Sequence, residues 1–207
     1  MKVMKQYPTI SKQTQNIYIY AFDKLDGSNI RAEWDRKNGL SKFGSRHHLI
    51  DHTDELLGES IQLIKAKYEQ QLSDIFRRER FERATAFFEY YGPSSFAGRH
   101  EKNETHDVKL FDIDVFKKGV IGPREFLRIA GHLDISNFIY QGNLNHEFIS
   151  SVKDGTAIGV TFEGVVCKSN ELDKHRQTIM FKIKSEAWMQ KLKTLCKGDE
   201  KLFEQLA

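Results

Sequence analysis

The sequence predicts a mixed α+β fold. Strand-like runs occur both as neighbours joined by a turn and singly between helical stretches, which is an α+β pattern and not a βαβ repeat. No Gly-x-Gly-x-x-Gly follows a strand-like run, and no Gly-x-x-x-x-Gly-Lys-Ser/Thr occurs. Dinucleotide-binding and P-loop folds therefore lose their main sequence support.

Taken in chain order, Ile17 to Phe22 mixes aliphatic and aromatic residues and reads as a strand. It runs into Lys24-Leu25-Asp26-Gly27. Asn29 to Trp34 and Leu40 to Gly44 flank Asn38-Gly39, a hairpin signal because a type I′ turn needs positive φ at both central residues. Thr53 to about Glu82 is helical in character, with Leu56, Leu57, Ile61, Ile64 and Tyr68 at helical spacing, Thr53 as the expected N-cap and Ser73 as an expected division into two helices. Ala84 to Tyr91 is a dense aromatic strand closed by Gly92-Pro93. A polar loop covers Ser94 to Asp107, and Lys109 to Phe116 is another strand. Pro123 suits the first turn of a short helix ending near Gly131. Asn145 to Lys153 is a second short helix. Val160 to Lys168 and Thr178 to Lys184 are strands, and Ser185 caps a last helix through Cys196.

Composition narrows the class. The chain has 207 residues, 39% hydrophobic and 29% charged, with only 3 Pro, which excludes collagen-like and disordered classes. No apolar run approaches the ~18 residues of a membrane span, and Met1 to Gln6 has no apolar signal core. Cys167 and Cys196 match no zinc or redox spacing. A reduced, cytoplasmic setting is the expectation. The net charge of +3 permits a nucleic-acid partner if basic residues cluster.

Four pieces carry chemistry. Lys24-Leu25-Asp26-Gly27-Ser28-Asn29 places a lysine and a carboxylate just past a strand. Glu89 is polar within an aromatic strand. Phe162-Glu163-Gly164-Val165-Val166 sets a second carboxylate in an apolar run. Phe181-Lys182-Ile183-Lys184 alternates, so both lysines project to one face of a strand and repel unless an anion lies between them; phosphate suits that position. Each piece alone also fits a surface turn or a solvated strand edge.

The conjunction is more specific. The order Lys-x-Asp-Gly, Glu-x-x-Gly, Phe-Asp-Ile, Glu-Gly-Val-Val, Lys-x-Lys resembles the covalent nucleotidyltransferase superfamily of polynucleotide ligases and capping enzymes. Lys24 to Gly27 resembles its nucleophile motif, and Arg46 the arginine on the next hairpin. Glu89 with Gly92 resembles the third motif, although Phe88 stands where the family usually has glycine. Leu110-Phe111-Asp112-Ile113 resembles the adjacent aromatic motif, and Glu163 to Val166 and Lys182 to Lys184 the last two. Asn29 after Gly27-Ser28 is similar to the ATP-dependent RNA ligases in particular.

The resemblance implies an ATP-grasp-like nucleotidyltransferase fold of antiparallel sheets flanked by helices around a nucleotide cleft. It is read as one domain over residues 1–207, with no C-terminal OB or helical domain. It further implies an ATP-dependent RNA ligase that forms lysyl-AMP on Lys24 and joins 3′-OH and 5′-phosphate ends. Lys182 and Lys184 would contact the α-phosphate, and Glu163 a divalent metal, Mg²⁺ or Mn²⁺. Glu89 would accept from a ribose hydroxyl, Phe111 would stack on the base or serve as a core aromatic, and Arg46 would bind ribose or phosphate. Asp26 would organise the site. A lysine must be neutral to attack, whereas its ordinary pKa is about 10.4; nearby positive charge lowers it. The implied partner is RNA, as a nicked duplex or an RNA/DNA hybrid, with a partner protein supplying the missing C-terminal module. The alternatives are a DNA ligase, a GTP-dependent capping guanylyltransferase, or a non-catalytic nucleic-acid-binding protein.

Two further features stand outside the motifs. His48 and His52 have the i,i+4 spacing of a metal pair but lack the zincin glutamate. Arg77, Arg78, Arg80 and Arg83 form a basic cluster that reads as a solvated face paired with Glu79 and Glu82, or as a phosphate contact.

Overall fold

A computed structural model describes residues 4–8, 17–101, 103–175 and 177–206. Of the Met1 to Gln6 segment, residues 1–3 lie outside the described residues. The strands are β1 (Tyr18–Asp23), β2 (Ser28–Asp35), β3 (Gly39–Gly44), β4 (Leu49–Ile50), β5 (Arg83–Tyr91), β6 (Asp107–Val115), β7 (Gly119–Val120), β8 (Phe138–Asn143), β9 (Gly164–Leu172) and β10 (Thr178–Lys184). The helices are α1 (Gly58–Arg78), α2 (Pro123–Ala130), α3 (His146–Lys153), α4 (Glu186–Cys196) and α5 (Glu200–Leu206). They fall into two compact units, one from the described residues of Met1–Thr9 and Gly27–Ile135, the other from those of Ile10–Asp26 and Ser136–Ala207. Each has its own antiparallel sheet, so the architecture is α+β as predicted. Among the described residues no helix is long and apolar enough to cross a membrane.

The first unit holds a six-stranded sheet in the order β4-β3-β2-β5-β6-β7. One face takes α1, whose Ile61, Ile64, Tyr68, Leu72, Ile75 and Phe76 are buried. Burying each of the aliphatic ones stabilises by roughly 1.5–3 kcal/mol relative to exposure. Trp34 meets Phe76 edge-on at 5.3 Å, and Tyr68 meets Phe88 at 5.0 Å. Ser73 does not divide the helix. It is buried and accepts the Trp34 indole N–H at 2.9 Å, so a polar residue on the apolar stripe satisfies a polar atom of the sheet. Nor does Thr53 cap it. The Asp54 carboxylate accepts the backbone N–H groups of Leu56 and Leu57 at 3.1 and 2.9 Å, and Asp51 accepts that of Thr53 at 2.8 Å. These carboxylate-held turns outcompete helix and delay its start to Gly58.

The β2–β3 hairpin forms as predicted but with a different turn. Asp35 pairs with Gly39, and among the described residues of this turn only Gly39 has positive φ, at 65°. The Asp35 carboxylate accepts from the Lys37 and Asn38 N–H groups at 2.8 and 2.9 Å, which holds a three-residue loop in place of a type I′ turn.

The second unit holds a four-stranded sheet in the order β10-β9-β1-β8. Ile19 and Ala21 of β1, Val165 and Cys167 of β9, and Phe181 and Ile183 of β10 pack with Phe148 and Val152 of α3. Asn145 caps α3 by accepting the Phe148 N–H at 2.8 Å, and Ser185 caps α4 by accepting that of Trp188 at 3.1 Å. The strand predicted from Val160 begins only at Gly164. Thr161 is drawn aside instead, its N–H and hydroxyl donating to Asp23 at 2.9 and 3.2 Å.

Candidate active site

Within the second unit, the end of β1 is tied to the segment before β9. The Lys24 N–H donates to the Gly164 carbonyl at 2.9 Å, and the Ser185 N–H to the Glu163 carbonyl at 3.0 Å. Gly164 has φ of +132°, and a Cβ on it would lie 2.1 Å from the Ile183 carbonyl oxygen, so only glycine fits between the strands. These constraints fix Glu163 beside Lys24. The Lys24 Nζ lies 2.8 Å from one Glu163 carboxylate oxygen, and the Lys184 Nζ lies 2.8 Å from the other. The Glu163 side chain is only 4% exposed, so this is a buried carboxylate bridged by two ammonium groups.

The chain of contacts continues. The Lys184 Nζ lies 3.5 Å from the centroid of the Trp188 ring and donates to the Leu206 carbonyl at 3.2 Å. The Trp188 indole N–H donates to Asp26 at 2.5 Å. Lys182 stands two residues from Lys184 on β10, on the same face by strand alternation. Burial pushes the pKa of Lys184 down to about 8; the Lys24 and Lys182 charges push the same way and Glu163 opposes them. The arrangement gathers a half-buried amine, a buried carboxylate and two further ammonium groups. That set can bind a phosphate, hold a divalent cation and lower the proton affinity of a lysine.

In the first unit, the sheet face opposite α1 carries a second set. Asn29 pairs with Glu89 and Arg31 with Phe87 across β2 and β5, so these four share a face. Phe88 points the other way, against Tyr68 of α1. On β6 the pairing jumps from Phe87–Asp112 to Phe88–Leu110, leaving Phe111 as the extra residue of a bulge that re-aims it. The half-buried Phe111 ring meets Tyr7 edge-on at 5.0 Å and stacks with Phe87 at 6.2 Å. The Tyr7 hydroxyl donates to Asp112 at 2.8 Å. Arg46 is exposed in the bend between β3 and β4.

Among solved structures, the chain is similar to a mutant of Naegleria gruberi RNA ligase with AMP and Mn, with a TM-score of 0.66 at 16% identity over 91% of this chain and 58% of that one. The chain has the nucleotidyltransferase fold of RNA ligases. The same ligase with PPi gives a TM-score of 0.62 at 21% identity, covering 93% of this chain and 61% of that one. A mutant with ATP and Mn gives 0.61 at 19%, covering 86% and 52%. The chain thus spans between 52% and 61% of the length of these ligase chains. No family model and no curated protein matches it.

Of the eight residues singled out from sequence, Lys24, Asp26, Glu163, Lys182 and Lys184 lie in the second unit, and Arg46, Glu89 and Phe111 in the first. Two neighbours went unnoticed. Arg31 is buried, its guanidinium donating to the Lys5 carbonyl at 3.4 Å, with Gly44 leaving room for its Nε. The alternation of Asn29, Arg31 and Glu33 with Ile30, Ala32 and Trp34 is a signal that would have placed Arg31 beside Asn29. For Tyr7 no comparable signal exists. Of the arginine cluster, Arg78 lies 3.9 Å from Glu79, whose carboxylate Arg128 of α2 also holds at 2.7 Å, and the Arg83 guanidinium lies 3.7 Å from the centroid of the Phe116 ring.

Proposed function

We propose that the chain is an ATP-dependent RNA ligase, or its adenylyltransferase core, acting through lysyl-AMP on Lys24. The observation that carries this reading is the Lys24–Glu163–Lys184 cluster at the joined ends of β1, β9 and β10. The AMP, ATP, PPi and Mn in the Naegleria gruberi ligase structures suit the same chemistry.

Lys24 Nζ, having first given up its ammonium proton, would attack the α-phosphorus of ATP, forming an N–P bond as the bond to pyrophosphate breaks and a second proton leaves the nitrogen for solvent. The 5′-phosphate of the RNA would then take AMP, freeing Lys24. A 3′-hydroxyl would attack that phosphate and expel AMP. Lys182 and Lys184 would hold the α-phosphate and offset its growing charge. Glu163, a hard oxygen donor, would hold a divalent Mg²⁺ or Mn²⁺ directly or through water. A bound ion would neutralise phosphate charge and compete for the carboxylate that now holds the Lys24 ammonium, favouring the neutral amine. Glu89, Arg46 and Phe111 are assigned to ribose, phosphate and base, and a nicked duplex or RNA/DNA hybrid is the assigned substrate.

Incubation with α-labelled ATP and Mg²⁺ or Mn²⁺ tests the reading. Covalent label that disappears in Lys24→Ala and falls sharply in Lys182→Ala and Glu163→Ala supports it. Label from GTP alone would mean a capping-type enzyme. Sealing of nicks only with DNA at the 3′-OH side would mean a DNA ligase. No label with any nucleotide and metal would leave a binding protein.

A further inference from the structure

The loop between β5 and β6 carries His100, Glu104 and His106, with one ligand atom from each lying within 4.8 Å of the others. His106 is buried. Its Nδ1 lies 3.1 Å from the Glu59 carboxylate, which also accepts the Tyr90 hydroxyl at 2.7 Å. Its Nε2 is enclosed and has no hydrogen-bonding partner among the described residues. What it faces is Glu104 Oε1 at 3.3 Å, an acceptor. With Nδ1–H donating to Glu59, two lone pairs confront each other across that distance, an arrangement that favours a cation between them.

The surroundings hold these groups in place. The Glu104 carboxylate accepts the Ser94 and Glu101 N–H groups at 2.6 and 3.3 Å. It occupies the space a side chain at residue 92 would fill: a Cβ on Gly92 would lie 2.5 Å from Glu104 Cδ. The Tyr90 ring stacks on His106 at 4.6 Å and lies 5.0 Å from His100. The His100 ring nitrogens meet Ser95 and Ser28 hydroxyls at 3.0 and 2.8 Å, and either hydroxyl can turn away to free a nitrogen.

We propose that His100, Glu104 and His106 bind a divalent transition-metal ion, zinc above all, as a clip that fixes the loop after β5. Two nitrogens and a carboxylate oxygen are the donors zinc prefers, and ligands 2.0–2.1 Å from a tetrahedral ion lie about 3.3 Å apart, the separation that Glu104 Oε1 and His106 Nε2 already have. Glu59 then plays the outer carboxylate that orients a metal-binding histidine. Because His100 also meets Ser28, the clip steadies the start of β2, just past the Lys24 to Gly27 motif. This site is separate from the divalent ion assigned to Glu163, and it stands whether or not the ligase reading does.

The test is metal binding by the full chain, stripped with chelator and titrated with Zn²⁺ or Co²⁺ alone. We expect one equivalent of Zn²⁺ with micromolar or tighter affinity, a visible tetrahedral Co²⁺ band and a raised melting temperature. Glu104→Gln and His100→Ala should abolish the band while keeping the native circular dichroism. Glu59→Gln should weaken affinity roughly ten- to a hundredfold. His47→Ala and His48→Ala should change nothing. No band, or a band that survives Glu104→Gln and His100→Ala, overturns the site. So does a ¹⁵N spectrum of the chain with added Zn²⁺ in which His106 carries protons on both nitrogens, as in an imidazolium bridging Glu59 and Glu104.

Discussion

The Nζ of Lys24 lies 2.8 Å from a carboxylate oxygen of Glu163, whose other oxygen is held by Lys184 at the same distance. One buried acid thus restrains two ammonium groups. Removing it takes away the carboxylate that lies between two like charges. Loss of one partner of a fully buried pair costs roughly 3–5 kcal/mol. Lys24 is 24% exposed and screened in part, so Glu163→Gln should destabilise the protein by about 2 kcal/mol. Urea unfolding reads this directly; an unchanged midpoint would show that the cluster contributes nothing to stability.

Ser73 gives a second prediction. Its hydroxyl is the acceptor of a buried indole N–H, so Ser73→Ala should cost about 1–3 kcal/mol by stranding the Trp34 donor. A thermal melt followed by tryptophan emission checks it. Full stability in the alanine variant would place the Trp34 donor elsewhere.

Asp114 gives a pH dependence. Burial raises its carboxyl pKa from the ordinary 3.8; the Lys5 ammonium at 3.3 Å opposes this and the Asp112 charge adds to it. A carboxyl with a raised folded-state pKa contributes stability that is full below 3.8 and is lost as pH climbs through the folded value. Asp114→Asn cannot ionise and escapes that loss. Its melting temperature relative to the parent should therefore rise by a few degrees between about pH 4 and about pH 7. A difference that stays constant over this range would contradict the assignment.

The cysteines give a fourth. Cys167 and Cys196 are free and buried, and burial pushes the Cys167 thiol up to about 12. Neither should react with a thiol reagent in native buffer at about pH 8, and both should react in denaturant. Rapid native labelling of Cys167 would mean that the sheet opens readily at β9.

Much of this was legible in the sequence because local rules and packing agreed. Asn145, Ser185 and Pro123 begin helices where their chemistry says they should. The alternation in Thr178–Lys184 gives β10 its two lysines on one face. The differences arise where side chains compete with the backbone. Asp54 takes the N–H groups a Thr53-capped helix would have used, Asp35 reshapes the hairpin turn, and Asp23 pulls Thr161 out of a strand. Strand β8 escaped notice because an exposed edge strand has no apolar alternation to read. The pairing of Lys24 with Glu163 spans a separation that no periodicity reports. The loop histidines drew no notice because the burial of His106 against Glu59, an α1 residue far upstream, cannot be read from the loop itself.

The sheet that carries Lys24 joins segments far apart in sequence, with β1 lying between β8 and β9. During synthesis, β1 leaves the ribosome early and waits for its neighbours while Gly27–Ile135 emerges as one continuous stretch. That stretch can form its local strand pairs first, and the sheet around Lys24 closes only after β8, β9 and β10 have followed. The proposed nucleophile therefore gains its carboxylate partner late, and a nascent chain interrupted before Glu163 carries the lysine without the group that restrains it.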